Sequence, residues 1–415
     1  MRTLIASVVG CLAPWAAGQL GQPRVLVVDP AGGGDFLQIR EAVLAAADGD
    51  AVLVKSGTYE PFVAQGLSLV VTADAGAAVS VAGRVRIEDL AAEQTLALLG
   101  VDAHQSGPQA ALSAGSCAGP VWVQGGSFTK LSPGGTNAGL TASVTGCDAV
   151  VLRGCTFQGA DGPDSIHTAG TGLAVAGSTA VLDDVLVTGG TGFVFPFAAL
   201  PSTPGGTGLS CTSSTVRALG CELRGGAGGA GAATLGGGCT DGEAGGPGAA
   251  LASGFPLLQL LDTVLEGGAG GAAGPPPCAD GPPGPASTVQ TGSVETLPGA
   301  ARRVALSTPV REGEMVQVQL SGEPGELAGI AVAAALDPGL APAPGGVDPL
   351  GEPALVLVLG NLDAAGELQL ALPFAAFADP AREYALLFVQ GLFFEPLGGL
   401  RVGGAQAVVL LDGSL

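Results

Sequence analysis

Six short segments between residues 96 and 265 repeat the same order of apolar and polar positions. They read LALLGVDA, VWVQGGSF, VVLRGCTF, AVLDDVLV, VRALGCEL and LQLLDTVL, and successive copies start 25, 29, 30, 36 and 42 residues apart. Two apolar positions spaced by two residues predict the buried face of a strand, and a third apolar position follows five residues later. The three apolar columns are Leu96, Val121, Val150, Ala180, Val216 and Leu258; Leu98, Val123, Leu152, Leu182, Ala218 and Leu260; and Ala103, Phe128, Phe157, Val187, Leu223 and Leu265. No copy can bury its apolar face alone, so the pattern predicts copies stacked around one core.

A glycine or an aspartate separates the second and third apolar positions in every copy. These residues are Gly100, Gly125, Gly154, Asp184, Gly220 and Asp262. Glycine adopts positive φ freely and aspartate tolerates it, so this column predicts a sharp turn from one strand into the next. Each copy therefore represents part of one coil of the chain.

The segment from residue 26 to residue 60 predicts a strand, a helix and a second strand. Apolar residues from Phe36 to Val43 recur at helical spacing, so we expect a helix near residues 36–47 with Asp35 as its cap. The string GGGDFLQIREAV, followed by DGDAVLVKSGTY, resembles the N-terminal cap and first coil of secreted right-handed parallel β-helix proteins. These form the pectin-lyase-like superfamily, which includes pectinesterases and pectate lyases. The resemblance implies an all-β fold, a right-handed parallel β-helix with a short N-terminal capping helix.

The sequence texture changes at about Thr296, where the glycine-rich repeats stop. Runs such as MVQVQLSG, GELQLALPF and YALLFVQGLFF, separated by Gly, Pro and Asp, predict a C-terminal β-sandwich-like domain. The string LVLGNLDAAGELQLALPF resembles β-rich C-terminal domains of exported bacterial surface proteins. The predicted organisation is a signal peptide at residues 1–18, the β-helix at 19–295 and the β-sandwich-like domain at 296–415.

The first residues predict export from the cytoplasm. The basic start MR precedes an apolar run at residues 4–12, and AAG at 16–18 supplies the small residues that a signal peptidase reads. Of the eight cysteines, Cys11 leaves with this segment, so an odd number remains in an oxidising compartment and at least one stays unpaired. We expect a secreted, cell-surface or periplasmic protein with no membrane-spanning segment after signal removal.

Two glycine-rich insertions lengthen the later repeats. They cover residues 225–250 and 267–286 and follow equivalent strands, so we expect both to project from the same side of the coils. Both contain the pattern Cys-x-Asp-Gly, at Cys239 and Cys278, which lie 39 residues apart. That offset is close to one coil. It therefore allows a Cys239–Cys278 disulfide, with two separate thiols as the alternative.

The chain is strongly acidic, with a formal net charge of −21. Nucleic acids and anionic membrane surfaces bind surfaces rich in Lys and Arg, so this charge argues against both as partners. A polysaccharide is the predicted partner. No cofactor is predicted, and nothing in the sequence beyond its acidity supports a Ca²⁺ site.

One outward column of the predicted coils places three polar residue types in line. Gln124, Arg153 and Asp183 occupy it on successive strands, and Asp184 follows directly. Pectinesterase sites combine aspartates, an arginine and glutamines on the helix face, so the resemblance makes these four residues the candidate catalytic set. The alternative, which we favour, is an exposed Arg153–Asp183 ladder pair worth less than about 1 kcal/mol. Trp122 lies on another outward column, where it either stacks on a sugar ring or packs beneath a long loop.

Two functional hypotheses follow from these patterns. The first is an exported β-helix protein that is structural or glycan-binding, with no identifiable catalytic machinery. The second is a carbohydrate-active enzyme, a polysaccharide lyase, pectinesterase or glycoside hydrolase, that acts from the β-helix face. A cleft of converging polar groups on that face would favour the enzyme, and a flat surface of small residues the binding protein. We favour the first, because the coils carry few outward polar residues.

Overall fold

A computed structural model of the protein describes residues 23–131, 139–162, 168–193, 202–233, 238–275, 278–343, 346–350, 353, 355–396 and 398–415. The predicted signal peptide at residues 1–18 lies outside the described residues. Within them the chain is all-β apart from one short helix. No helix in these ranges combines the length and the apolar character that crossing a bilayer requires.

Three parallel sheets, named A, B and C, form a right-handed parallel β-helix, as the repeats and the resemblance predict. Sheet A has ten strands: Val25–Val28, Asp50–Val54, Leu69–Ala73, Leu96–Leu99, Val121–Gln124, Val150–Arg153, Thr179–Asp183, Thr215–Leu219, Leu257–Leu261 and Ser293–Leu297. Sheet B has eight: Gly57–Tyr59, Val79–Ala82, Val101–Gln105, Ser127–Lys130, Thr156–Gln158, Leu186–Thr188, Glu222–Arg224 and Val264–Glu266. Sheet C also has eight: Phe62–Gln65, Val85–Glu88, Leu112–Gly115, Leu140–Thr145, Thr171–Ala176, Leu209–Thr212, Ala249–Leu251 and Ser287–Val289.

The apolar columns predicted from the repeats are confirmed in register. In sheet A, Val123 pairs with Leu152, and both side chains are buried inside the coil. In sheet B, Phe128 pairs with Phe157, and their stacked rings have centroids 5.2 Å apart. Every column member is buried except Leu265 in the last coil, which is partly buried. The stacked copies therefore build the single core that the repeat pattern requires.

The turn column is also confirmed. All six of its residues adopt positive φ, between 49° and 69°. Asp184 and Asp262 take this conformation where the other coils have glycine, because a short polar side chain tolerates the left-handed region. Each coil thus leaves sheet A through the same turn and enters sheet B.

The capping helix is shorter than predicted and covers Ile39–Ala45. Its N-terminus has no side-chain cap, so the expectation for Asp35 is wrong: the Asp35 carboxylate instead accepts a hydrogen bond from the Val27 amide at 2.9 Å. Phe36 forms an isolated parallel bridge with Val28. The chain before the helix is therefore held by the first strand of sheet A, which delays the helix start.

Glycine-rich arms project from the coils between sheets B and C, on the same side in each coil, as predicted. Outgoing arms cover residues 159–162, 189–193, 225–233 and 267–275, and returning arms cover 168–170, 202–208, 238–248 and 278–286. Three amides spaced by three residues donate to the next coil: Gly225 to Glu266 at the end of its strand, and Gly228 and Gly231 to Ala269 and Ala272 of the outgoing arm. Polyproline II helices have three residues per turn and no internal hydrogen bonds, so this spacing is typical of polyproline II arms. We call the assembly the glycine array.

The outgoing and returning arms form two layers joined by backbone hydrogen bonds. Gly206 donates to the Gly190 carbonyl and Gly226 donates to the Gly206 carbonyl, so the bonds alternate between the layers. A Cβ on Gly226 would lie 1.8 Å from the Gly190 oxygen, so only glycine permits this approach. The predicted disulfide is confirmed: Cys239 and Cys278 join two returning arms with their Cα atoms 5.9 Å apart.

The C-terminal region consists of sheets that lie alongside the coils and are antiparallel except for the short strand Val310–Arg311, which pairs in parallel. Three strands form one sheet and five form another: Arg303–Leu306, Met315–Ser321 and Glu367–Pro373; and Val310–Arg311, Leu400–Leu411, Tyr384–Phe394, Leu327–Ala333 and Leu355–Asn361. A hairpin of Leu336–Ala343 and Gly346–Leu350 lies beside them. The five-stranded sheet packs on the three-stranded sheet with one face and on the outer face of sheet A with the other. The predicted domain boundary at 295/296 stays a prediction, and the last strand of sheet A crosses it.

Candidate functional site

The four candidate residues lie on or beside the outer face of sheet A. Gln124, Arg153 and Asp183 pair in register on three neighbouring strands, so the predicted line exists. The strand Leu400–Leu411 of the C-terminal region lies across it. We call this contact between sheet A and the C-terminal region the seam.

The Gln124 side chain joins sheet A to the strand above it. Its amide nitrogen donates to the Ala407 carbonyl at 3.2 Å, and its amide oxygen accepts from the Ala407 N–H at 3.0 Å. The same oxygen accepts from the Trp122 indole N–H at 3.0 Å. Gln124 is 8% exposed, and both ends of its amide are bonded. The Gln124 amide therefore bonds to Ala407 as the peptide group of a neighbouring strand would.

Arg153 and Asp183 form a buried ion pair. Nη1 of Arg153 lies 2.5 Å from Oδ2 of Asp183, and the two side chains are 12% and 7% exposed. Arg153 also donates to the carbonyls of Ala405 and Val304. Burial raises the pKa of Asp183, and the neighbouring Arg153 acts in the opposite direction. The expected exposed ladder pair is wrong, because the C-terminal region removes both charges from water.

Asp184 does not share this environment. It occupies the left-handed turn, with φ of 56°, and its carboxylate lies 3.2 Å from the Arg303 guanidinium. Both partners are about half exposed, so the pair contributes at most about 1 kcal/mol. Two carboxylates act as acid and base only when both reach one substrate. Asp183 and Asp184 are adjacent in sequence, yet one lies inside the seam and the other lies outside it.

Trp122 is part of the same seam. It is fully buried and packs against Phe388 of the C-terminal region, with ring centroids 5.2 Å apart and a tilt of 55°. Of the two alternatives left by the sequence, packing is confirmed, although the cover is a sheet and not a loop. Nearer the N-terminus, the Tyr384 hydroxyl donates to the Gly49 carbonyl, so the seam runs along much of sheet A.

A second polar line lies on the same face, two residues before the first. Arg217, Gln259 and Glu295 occupy it on three successive strands. Nε of Arg217 donates to Oε1 of Gln259 at 3.0 Å, and Nε2 of Gln259 donates to Oε2 of Glu295 at 3.0 Å. The period of two that turns Leu219 and Leu261 outward also turns these residues outward. The sequence therefore indicates this polar line too, in the outward column next to the one that contains Gln124, Arg153 and Asp183.

A cavity of 240 Å³ lies over this second line, between sheet A and the C-terminal region. Its lining includes the polar side chains of Arg217, Gln259 and Arg401 and the apolar side chains of Leu219, Leu261 and Leu297. Pockets for drug-sized ligands measure about 300–1,000 Å³, so this cavity is smaller than such pockets.

Arg217 is the cation of this cavity that has no carboxylate partner among the described residues. Its Nη1 donates to the Leu340 carbonyl at 2.6 Å, and burial lowers its pKa. Arg401, by contrast, is paired with Glu395 at 2.7 Å. A partly buried guanidinium stays charged and attracts an anion. Among its described lining residues the cavity has no Asp, Glu, His, Ser or Cys.

His104 lies on sheet B. It belongs to the strand Val101–Gln105, and its Nδ1 lies 3.2 Å from the Ser80 Oγ on the neighbouring strand. Asp102 accepts a hydrogen bond from the Ser127 amide at 2.7 Å. In the described ranges no carboxylate forms an ion pair with His104. The serine–histidine pair is a second group that sequence reasoning missed.

Across the described ranges, no three side chains of His, Cys, Asp or Glu converge on a point where a metal ion could bind. The expectation that no cofactor is needed stays a prediction. A comparison with known protein families finds no family that matches this chain. A comparison with curated proteins finds no significant match.

Proposed function

We propose that this protein is an exported, non-catalytic β-helix protein of the pectin-lyase-like superfamily that binds a glycan at the cavity around Arg217. The observation that carries the proposal is the engagement of sheet A: Gln124 and Arg153 both bond to the C-terminal region. The cavity that remains beside them offers a cation and an amide but no acid–base pair. Recognition needs only such groups, whereas hydrolysis or elimination needs a positioned acid or base.

The chemistry of the cavity favours a sugar that carries one carboxylate. The Arg217 guanidinium suits a carboxylate, and the Gln259 amide suits a hydroxyl. Leu219, Leu261 and Leu297 supply apolar surface for the C–H face of a pyranose ring. The net charge of −21 repels a polyanion. We therefore expect an oligosaccharide with a single terminal uronic acid, and not a long polyuronate chain.

Isothermal titration calorimetry with oligosaccharides that differ only in a terminal uronic acid tests this binding. Arg217→Gln should lower the affinity for the acidic form at least tenfold, because a hydrogen bond to a charged group contributes about 1.5–3 kcal/mol. Arg224→Gln is the matched control, because Arg224 is an exposed arginine on sheet B, and it should bind as the wild type does. Equal binding of the acidic and neutral forms, or no binding of either, would reject the proposal.

Export is the second part of the proposal. The Cys239–Cys278 disulfide supports an oxidising compartment, and the predicted signal peptide at residues 1–18 supplies the route. Fractionation of cells that express the tagged full-length chain, with N-terminal sequencing, should find the protein in the periplasm, at the surface or in the medium. We expect an N-terminus near Gly18. A cytoplasmic protein that retains Met1 would contradict this part.

The alternative function is a carbohydrate-active enzyme, and the observation that favours it is the Ser80–His104 contact on sheet B. A serine beside a histidine is the arrangement of an activated nucleophile, and ester hydrolysis is the reaction such a pair performs. If the protein is an esterase, Ser80→Ala should abolish release of methanol or acetate from an esterified polysaccharide. Thr58→Ala, in the same outward column, is the control and should keep the activity. Wild-type protein that releases neither product would exclude esterase activity on the substrates tested.

A further inference from the structure

Cys117 and Cys147 occupy equivalent positions in neighbouring coils. Each lies two residues after the end of a sheet C strand, and the last residues of those strands, Gly115 and Thr145, pair in register. The Asp148 amide donates to the Cys117 carbonyl at 2.9 Å, which continues the register past the strands. Both side chains belong to the core inside the coil and are at most 1% exposed.

The register places the two thiols side by side, and each donates a hydrogen bond to the carbonyl two residues before it, Cys117 to Gly115 at 3.3 Å and Cys147 to Thr145 at 3.6 Å. Neighbouring strands lie about 4.8 Å apart, which falls within the range of about 4.4–6.8 Å between the Cα atoms of a disulfide. The neighbouring Cys147 lowers the pKa of Cys117, whereas Cys117 and burial raise the pKa of Cys147. Two thiols held side by side form a disulfide when an external disulfide reaches them.

The other free cysteines of the described ranges have no thiol neighbour in the adjoining coil. Val185 separates Cys155 from Cys221, so these two lie two coils apart. Cys211 pairs with Val175 on one side. All three are buried, as Cys117 and Cys147 are. They therefore serve as internal controls for burial without thiol contact.

Serines continue the column of Cys117 and Cys147 in the next two coils. The Cys147 amide donates to the Ser178 hydroxyl at 3.0 Å, and the Ser178 amide donates to the Ser214 hydroxyl at 3.3 Å. A hydroxyl therefore fits this corner of the coil, which makes Cys→Ser a conservative change here. A surface cleft of 390 Å³ lined by Cys147 and Ser178 opens beside the corner.

From this geometry we propose that Cys117 and Cys147 form an oxidisable dithiol inside the coil, which a small external disulfide converts into a bridge between two coils when this corner of the coil opens locally. The Cys117 thiolate attacks one sulfur of the external disulfide, forms a mixed disulfide and releases one thiolate. The Cys147 thiol then gives its proton to the first released thiolate and attacks the Cys117 sulfur, which forms the bridge and releases the second thiolate. Two protein thiols are oxidised and one external disulfide is reduced. The inference is independent of the proposed glycan binding.

The test treats the full chain with oxidised glutathione, alkylates free thiols under denaturing acidic conditions and digests it without reductant. Mass spectrometry should recover one peptide pair joined through Cys117 and Cys147, beside the Cys239–Cys278 pair, with the three control cysteines alkylated. The proposal is overturned if Cys117 and Cys147 are both recovered alkylated. Random pairing among the five free cysteines, or a glutathione adduct on Cys117 that does not resolve, also overturns it.

A second measurement uses the unfolding midpoint in denaturant. Oxidised glutathione should raise the midpoint of the wild type, because the bridge constrains the unfolded chain. Cys117→Ser and Cys147→Ser should each abolish this rise, and Cys211→Ser should keep it. A rise that persists in Cys117→Ser contradicts the proposal. If a variant fails to fold, peptide mapping of the wild type still tests the proposal, because it needs no variant.

Discussion

The coils and the glycine array both stack one turn of the chain on the next, but they do so with different repeats. In the coils, side chains alternate at every second residue, and apolar columns such as that of Val123 and Leu152 fill the interior. In the array, hydrogen bonds recur at every third residue, and backbone fills the space between arms. The coils depend on large side chains and the array depends on their absence. Removing a side chain should therefore destabilise the coils, and adding one should destabilise the array.

The largest effect is expected inside the coils. Phe157→Ala removes a fully buried ring that stacks on Phe128, so it should lower the free energy of unfolding by about 4 kcal/mol. Urea unfolding followed by circular dichroism measures this change. Phe255→Ala, at a position 81% exposed, is the control and should unfold as the wild type does. Equal effects of the two variants would mean that stacked side chains do not stabilise the coils.

The next effect concerns the outer face of the coils. Asp183→Asn leaves the buried Arg153 charge without its counter-ion and should cost about 3 kcal/mol. Asp184→Asn alters only a half-exposed pair and should cost less than about 1 kcal/mol, so the two neighbouring aspartates form a matched comparison. Thermal and chemical denaturation of both variants measures the difference. If both substitutions cost only a few tenths of a kcal/mol, about what an exposed ladder pair contributes, the C-terminal region does not bury Arg153 and Asp183.

In the array, even the methyl group of an added alanine should be destabilising. Gly226→Ala places a Cβ against the Gly190 carbonyl and should destabilise the arms locally by about 2 kcal/mol. Hydrogen exchange should then show lost protection in residues 189–284 outside the coil strands, with protection kept in sheet A. Ala269→Ser, at an exposed position of an arm, is the control. Loss of protection throughout the chain would show that array and coils unfold as one unit.

The smallest expected effect is a response to acid that the coils should show and the array should not. Asp74 lies 2.7 Å from Lys55 and 2.6 Å from Arg311 of the C-terminal region. Burial alone would raise the pKa of Asp74, but hydrogen bonds from both cations bring it below its ordinary value of 3.8. A lowered pKa stabilises the folded state above the unfolded pKa, and this contribution is lost as pH falls through the folded pKa.

Stability should therefore fall by about 1 kcal/mol as pH drops below about 4, and Asp74→Asn should remove this part of the pH dependence. Urea unfolding between pH 3 and pH 6 measures it. The array is held by backbone hydrogen bonds, so exchange in residues 189–284 should not follow this titration. An unchanged pH profile in Asp74→Asn would assign the acid response to other carboxyls.

The coils were predictable because a period of two reports directly on which side chains face inward. The turn residues, including Asp184, were predictable as well, because only a few residue types adopt positive φ. The helix was predicted too long because Phe36 fits helical spacing, and its backbone bridge to Val28 leaves no trace in the sequence. The glycine arms have no side-chain pattern, so the sequence marks where they leave the coils and not how they bond to each other.

The candidate line could be located from the sequence but not interpreted. Gln124, Arg153 and Asp183 fall in register because the repeats fix their spacing. Whether that face is open depends on a contact with Ala407, 283 residues further along the chain. No local pattern reports such a contact. For the same reason, the cavity at Arg217 became visible only once the C-terminal region was placed.

The glycine array also restricts the sizes in which this chain can change length. The distance between stacked residues is 30 from Val150 to Ala180, 36 on to Val216 and 42 on to Leu258, and it returns to 36 at Val294. Each step of six matches one polyproline II turn of three residues in an outgoing arm and one in the returning arm. An insertion of any other size within an arm would set the donors of that arm against the wrong residues of the next. Insertions within these arms are therefore expected in whole turns of three residues, one turn in the outgoing arm and one in the returning arm.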